Sequence, residues 1–323
     1  MKRVLLTGAS GFVGANLARR LLQDGHPVHL MLRPGQDAWR VEGIRREVTI
    51  HDADLTDGPS LERAVAAARP DWIFHLAAFG AYSWQKDPMK ILDVNFFGTV
   101  RLMEACLKSG FAAFINTGSS SEYGLKDHAP AEDEAVAPNS NYAVAKVAAT
   151  HYCQLTAREQ KVRVATLRLY SAYGPWEEPN RLIPTLLCRG LAGGYPPLVD
   201  PTVARDFVHV DDVCEAYLRA ATTPVPEPGA VYNVATGVMT TLKDAVETTR
   251  DLLKIPSEPV WGTMPNRSWD TTVWVGQPKK IMAALGWTPR MTFRDGMQAT
   301  ASWLKEARGR AEWYRSRQAP NAK

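Results

Sequence analysis

The chain has 323 residues, 45% of them hydrophobic and 22% charged, with a formal net charge of +4. Ten Trp, ten Tyr and nine Phe supply ample apolar area for a core, which excludes a chain disordered throughout. The mild positive charge makes no case for nucleic acid, and no apolar run approaches the length needed to span a bilayer.

The chain opens on Met1-Lys2-Arg3 and an apolar Val4-Leu5-Leu6, but Thr7, Gly8, Ser10 and Gly11 break the run at once, so it does not read as a signal peptide. Short apolar runs at Arg3–Thr7, Val28–Leu32, Val48–His51, Trp72–Leu76, Ala113–Thr117 and Arg163–Leu167 predict buried strands. Between them, Phe12–Gln23, Ser60–Ala68, Pro88–Lys108 and Asn141–Gln160 carry helical periodicity. That alternation predicts an α/β fold: a Rossmann-type, doubly wound parallel sheet over residues 1–170, with a later segment, about 203–235, interleaved into it. Beyond residue 170 Pro and Gly become dense and the elements shorten, so 171–323 reads mainly as a smaller α/β lobe for substrate. Six of the ten Trp lie after residue 260, which predicts separate aromatic packing there, and basic Lys305–Lys323 reads as a frayed, solvated helix end. Cys106, Cys153, Cys188 and Cys214 are far apart, with no His at ligand spacing; they read as buried thiols of a cytoplasmic protein with no metal.

Three groups of residues carry chemistry. Thr7-Gly8-Ala9-Ser10-Gly11-Phe12-Val13-Gly14 lies between the first strand and the first helix, where glycines let backbone approach a pyrophosphate at the helix N-terminus. The second strand ends in Leu32-Arg33, without the acidic residue that receives an NAD ribose. The Arg33 guanidinium suits a 2′-phosphate, predicting NADP(H) over NAD(H), with NAD(H) as the other possibility. Asp52 and Asp54 follow the third strand; Asp54-Leu55 is the better candidate for the adenine edge. Tyr142 and Lys146, four apart on a helix, share a face, so an ammonium lies beside a phenol and is expected to stabilise the phenolate and lower the Tyr142 pKa toward working pH. Ser119, at the end of the fifth strand, supplies a hydroxyl to orient a substrate oxygen.

Thr7–Gly14, Asp54-Leu55, His75-Leu76-Ala77-Ala78, Asn95, Ser119–Gly124, Tyr142/Lys146, Tyr173-Gly174-Pro175 and Arg205–Asp212 occur in one order. In these motifs, from about residue 2 to 305, the chain resembles the extended short-chain dehydrogenase/reductase family of nucleotide-sugar epimerases, dehydratases and reductases. The resemblance implies a catalytic Ser119, Tyr142 and Lys146. It implies a dinucleotide cleft lined by Gly8, Gly11, Phe12, Val13, Leu76, Ala77, Ala78, Asn95 and Tyr170. A nucleoside diphosphate sugar would meet Ser120, Ser121, Ser171, Asn180, Arg181, Leu182, Arg205 and Arg267. A homodimer is implied, with Pro88–Lys108 and Asn141–Gln160 pairing into a four-helix bundle in which Cys106 and Cys153 are compatible with a buried interface.

Two departures shape the reaction. Where family 4,6-dehydratases carry acids after the catalytic hydroxyl, this chain has Ser120-Ser121, with Glu122 one residue further on; hydroxyls are poor acids and bases at neutral pH. Ser171 stands where many relatives have Asn. The leading reading is therefore an NADP(H)-dependent reductase of a 4-keto nucleotide sugar. A 4-epimerase is the alternative, a dehydratase is disfavoured, and a non-catalytic dinucleotide sensor is remote because Ser119, Tyr142 and Lys146 are all present.

Overall fold

The computed structural model describes residues 1–82, 84–224, 227–266 and 271–318. The chain begins β1 (Val4–Thr7), α1 (Phe12–Gln23), β2 (Val28–Leu32), β3 (Thr49–Asp52), α2 (Gly58–Ala68) and β4 (Trp72–His75). Next come α3 (Pro88–Leu92), a π turn over Asp93–Phe97, α4 (Gly98–Ser109), β5 (Ala113–Ser119), α5 (Asn141–Gln160) and β6 (Val164–Leu169). The later elements are β7 (Ser171–Tyr173), α6 (Leu182–Gly190), β8 (Ala204–Arg205), β9 (Phe207–His209), α7 (Val210–Thr222), β10 (Ala230–Val234), β11 (Thr240–Thr241), α8 (Leu242–Leu253), α9 (Lys279–Leu285), α10 (Phe293–Glu306) and α11 (Arg310–Arg317).

Seven strands form one parallel sheet in the order β10-β6-β5-β4-β1-β2-β3. The period of two along each strand divides the core between two faces. Val4, Leu6, Leu30, Phe74, Ile115 and Leu167 pack with α1 and α7, whereas Leu5, Met31, Ile73, Phe114 and Val164 pack beneath α2, α4 and α5. Helices cover both faces, so the strands read as continuous apolar runs. The strand order reverses between β1 and β4, which opens the crevice where such sheets bind ligands.

The helical pattern over Pro88–Lys108 is interrupted in space. Asp87 caps α3 by accepting from the Met89 and Lys90 amides, and the backbone then widens into the π turn before α4. The turn brings the Asn95 amide onto the Phe79 backbone, Oδ1 accepting from Phe79 N at 2.9 Å and Nδ2 donating to Phe79 O at 2.5 Å. An inserted π turn of this kind recurs at functional sites. Cys106 and Cys153 are fully buried in the sheet-facing core of their own chain, so they are unavailable to an interface between chains.

In the second lobe, β7 pairs parallel with β9 and β8 antiparallel with β11. The Lys305–Lys323 stretch is not a frayed end over its described part: α11 packs into the lobe's core, with Tyr314 1% exposed and its hydroxyl donating to the Glu177 carbonyl. The later tryptophans also do not form a cluster of their own. Trp303 and Trp313 pack with Trp39, Trp176 and Tyr314, joining early and late chain, and Trp287 donates to the Asp212 carbonyl beside the main sheet. Trp269 lies outside the described residues.

Candidate active site

The loop from β1 to α1 is shaped by what its glycines exclude. Gly8 has φ +72, and a Cβ there would lie 2.5 Å from Ala77 N; one on Gly14 would lie 2.3 Å from the Gly8 carbonyl. Strand, loop and helix are thus in backbone contact, with Ala77 N held by the Thr7 hydroxyl at 3.2 Å. Gly11 caps α1 without any side chain, so the amides of the first turn, at Phe12 and Val13, carry no side-chain cap. A glycine cradle ending in an uncapped helix fits the pyrophosphate of a dinucleotide. Leu76 and Ala77 are half-buried and Ala78 exposed beside it. His75 braces this wall from beneath through Thr7 at 2.7 Å and Thr99 at 2.9 Å; burial pulls its imidazole down to about 3, so it stays neutral. Asn95 lies behind the wall, its amide engaged with Phe79.

At the end of β2, Arg33 is exposed and pairs with no carboxylate among the described residues. Leu32 is in register with Asp52, which is itself exposed. Asp54 accepts from the Thr56 amide and hydroxyl at 2.9 and 2.8 Å, while buried Leu55 packs on Gly98.

The structure brings Ser119, Tyr142 and Lys146 together at the carboxyl end of β5. Ser140 caps α5, which points Tyr142 and Lys146 at that strand end. Lys146 is 3% exposed; its ammonium donates to the Thr117 carbonyl at 2.9 Å and lies 5.8 Å from the Tyr142 ring centre. Burial pulls the ammonium down to about 8 against the attraction of Glu122. Contrary to the fall expected from Lys146, burial, reinforced by Glu122, pushes the Tyr142 phenol up to about 12, while Ser119 and Arg181 oppose that rise. Ser119 Oγ lies 2.7 Å from Ser121 Oγ.

Glu122 does not face the cleft. Fully buried, it accepts from Ser119 N at 2.8 Å, Thr150 Oγ1 at 3.0 Å and Arg168 Nε at 2.9 Å. Arg168, one residue beyond the sixth strand as the sequence predicts it, lies inside β6 and is 3% exposed. Its charge is tolerated there because Glu122 meets it. Ser119-x-x-Glu122 is a capping-box pattern, and both of its hydrogen bonds form; that spacing is the sequence signal for this arrangement.

The residues assigned to substrate are spread over both lobes. Ser120 is buried and borders a small cavity with Tyr123, Tyr170 and Trp274, while Ser121 is half-buried. Tyr170 is 7% exposed and closes on Gly276, where a Cβ would lie 2.6 Å from its ring. Ser171 begins β7, its amide donating to the Asp206 carbonyl at 2.9 Å. Asn180 donates to the Arg317 carbonyl at 3.2 Å, engaging α11. Arg181 donates to the Ala81 carbonyl at 3.0 Å and sits 5.1 Å from the Tyr82 ring centre, bridging the two lobes near Tyr142. Leu182 opens α6 and packs on the lobe's core. Arg205 donates to Ala204 O and faces Trp274 at 5.6 Å. Asp206 is a brace, its carboxylate accepting from Thr236, Gly237 and Gly276. Arg267 lies outside the described residues.

Sequence patterns do not reveal Arg40. It is 6% exposed, and its guanidinium donates to Ser10 O of the glycine loop at 3.3 Å, to Trp176 O at 2.7 Å and to Glu178 at 2.9 Å. It ties the glycine loop to the segment leading into Asn180 and Arg181. Glu177 beside it is 7% exposed with one carboxylate oxygen unpartnered, and burial pushes it up to about 8.

A glycine cradle at the switch point of a parallel sheet, with Ser, Tyr and Lys converging beside it, defines a dinucleotide-dependent enzyme of the extended short-chain dehydrogenase/reductase type. The chain belongs to the NAD dependent epimerase/dehydratase family, whose model matches residues 4–235. It is 30% identical over 325 residues to UDP-glucose 4-epimerase of Mycolicibacterium smegmatis, covering 94% of this chain and 98% of that one. It is 29% identical over 320 residues to GDP-6-deoxy-D-mannose reductase of Pseudomonas aeruginosa, covering 95% and 99%. Among solved structures, UDP-glucose 4-epimerase of Thermus thermophilus in complex with NAD superposes with a TM-score of 0.83 at 28% identity, covering 94% of this chain and 99% of that one. The Thermotoga maritima enzyme with UDP-glucose gives 0.84 at 27%, covering 94% and 98%. Among the described residues no helix is long and apolar enough to cross a membrane, and no group of three or more His, Cys, Asp or Glu could hold a metal ion.

Proposed function

We propose that the protein reduces the C4 ketone of a 4-keto-6-deoxy sugar carried on a nucleoside diphosphate, using NADPH. A bound nicotinamide dinucleotide supplies the hydride. The observation that carries the reading is the convergence at the carboxyl end of β5 of the Ser119 hydroxyl, the Tyr142 phenol and the Lys146 ammonium fixed to Thr117 O. Tyr142 gives its proton to the C4 oxygen as the carbonyl becomes an alcohol, and Ser119 holds that oxygen in place. The Lys146 ammonium stabilises the phenolate left behind. No carboxylate reaches the cleft from the Ser119–Gly124 loop, since Glu122 is committed to Arg168, so the second acid–base pair that dehydration requires is missing there.

Exposed Arg33, directly after a β2 that ends without an acidic residue, supports NADP(H). The 4-epimerase reading is kept because the Mycolicibacterium and Thermus relatives carry that name. The two readings part on the protein as purified. Released NAD⁺ or NADP⁺ at near one per chain points to the epimerase, which restores its nicotinamide each cycle. An empty protein that oxidises NADPH with a 4-keto-6-deoxy nucleotide sugar is the reductase.

We assign the active form to the cytoplasm as a homodimer. Four buried free thiols support the compartment. Met89, Phe97, Val144 and Leu155, 73%, 49%, 44% and 46% exposed on the α3–α4 and α5 segments, support a bundle interface. Leu155→Glu should turn a dimer into a monomer in sedimentation; a wild-type monomer would refute the assignment.

A further inference from the structure

We propose that Glu122 is a positioning residue of the active site: its buried carboxylate fixes Ser119 and supplies the negative charge that Tyr142 and Lys146 face. This rests on the reading of Ser119, Tyr142 and Lys146 as the reacting set. Three elements converge on the one carboxylate. Oε1 accepts the Ser119 amide, while Oε2 accepts Thr150 of α5 and Arg168 of β6. Thr150 lies one helical turn beyond Lys146, so the carboxylate ties the Ser119 turn to the helix carrying both partners. Gly118 reserves the space: a Cβ there would lie 2.6 Å from Glu122 Oε1. A carboxylate placed only to neutralise Arg168 would require neither the Ser119 amide nor the emptied Gly118 position.

The charge matters to the chemistry as well as to the shape. Facing Tyr142 are Glu122 and Ser119 from the β5 side, Lys146 from its own helix, Tyr82 from the loop after β4, and Arg181 from the start of α6. Facing Glu122 are Arg168, which Tyr123 covers at 4.5 Å, and Lys146. The carboxylate favours the charged ammonium, which in turn stabilises a phenolate at Tyr142, while its own charge raises the phenol.

The test is Glu122→Gln, which keeps the side chain's shape and removes its charge. Tyrosines labelled with ¹³C at Cζ are titrated by NMR, and the Tyr142 signal is assigned by its loss in Tyr142→Phe. The Tyr142 titration should move down by roughly one pH unit. Turnover of a 4-keto-6-deoxy nucleotide sugar should fall in kcat with KM little changed, because the Ser119 turn loses its anchor although the phenol becomes the stronger acid. Glu122→Gln leaves Arg168 buried without its partner, so Glu122→Gln/Arg168→Met is measured beside it; the same downward shift should persist there. A folded variant in which Tyr142 titrates as in the wild type overturns the proposal. A wild type that turns over no 4-keto sugar overturns the reductase reading instead, and the NMR titration still decides the role of Glu122.

Discussion

The Lys146 ammonium donates to the Thr117 carbonyl, two residues before Ser119 on the same strand. The cation is thereby fixed to the strand end that presents the Ser119 hydroxyl, and Tyr142, one turn away on α5, is fixed with it. Tyr142→Phe preserves this packing and removes only the transferable proton. It should lower kcat by about 10²- to 10⁴-fold while dinucleotide affinity, read by fluorescence titration, stays within a few-fold. Normal turnover by the variant would end the proton-donor assignment.

Arg33 tests the cofactor. A guanidinium bound to a 2′-phosphate contributes charge-assisted hydrogen bonds, so Arg33→Ala should weaken NADPH by about 10- to 100-fold. NADH should be nearly unaffected. Equal losses for both dinucleotides would remove the argument from the end of β2.

The cradle makes a prediction from space alone. Gly8→Ala would place a Cβ 2.5 Å from Ala77 N, at a φ of +72 that L residues rarely adopt. Both neighbours are backbone, so nothing yields cheaply. Dinucleotide binding should be lost in calorimetric titration, with the variant's thermal midpoint lowered; unchanged affinity would show that the loop is not the pyrophosphate site.

Glu177 predicts a pH dependence of stability. Its folded value, raised to about 8 by burial, lies above that of an unfolded glutamate. Through that window the folded chain binds more protons, so stability is greatest at acid pH, falls as pH rises toward 8 and levels off above it. Glu177→Gln cannot ionise. Relative to wild type it should gain roughly 1–3 kcal/mol between pH 6 and pH 9 in denaturant unfolding. A variant that tracks the wild type across this range would contradict the burial of that carboxyl.

Arg40→Met should cost about 3–5 kcal/mol, because Glu178 loses its partner and the Ser10 and Trp176 carbonyls lose a donor. The more telling readout is binding. The glycine loop and the segment leading to Arg181 share this guanidinium, so NADPH and UDP should each bind more weakly. Loss of only one affinity would mean that Arg40 serves a single lobe.

Much of this was legible along the chain. Strands covered on both faces show as unbroken apolar runs, and the helices between them begin and end close to where their periodicity does. Tyr142 and Lys146 were legible because helical spacing is local, and Ser119 because strand ends in such sheets face the crevice. What escaped depends on partners distant in sequence. Arg168 extends β6 only because Glu122, 46 residues earlier, neutralises it. The π turn interrupts a pattern that is helical throughout in sequence, and its Asn95 meets a partner, Phe79, 16 residues away. Asn233 sits inside β10 because Tyr123 and Pro130 satisfy its amide. Arg40 is one arginine among several in the segment after β2, and its three acceptors come from two lobes.

The edge strand β10 is drawn from beyond much of the second lobe's sequence: after β6 the chain builds β7, α6, β8 and β9 before returning through α7 to complete the parallel sheet. A fragment ending near residue 170 would leave β6 with an unpaired edge and uncover the face that α7 protects. The two lobes are therefore one cooperative folding unit. Chemical denaturation should give a single transition seen alike by tryptophan fluorescence and circular dichroism, and the sheet cannot be completed during synthesis until more than two thirds of the chain has emerged.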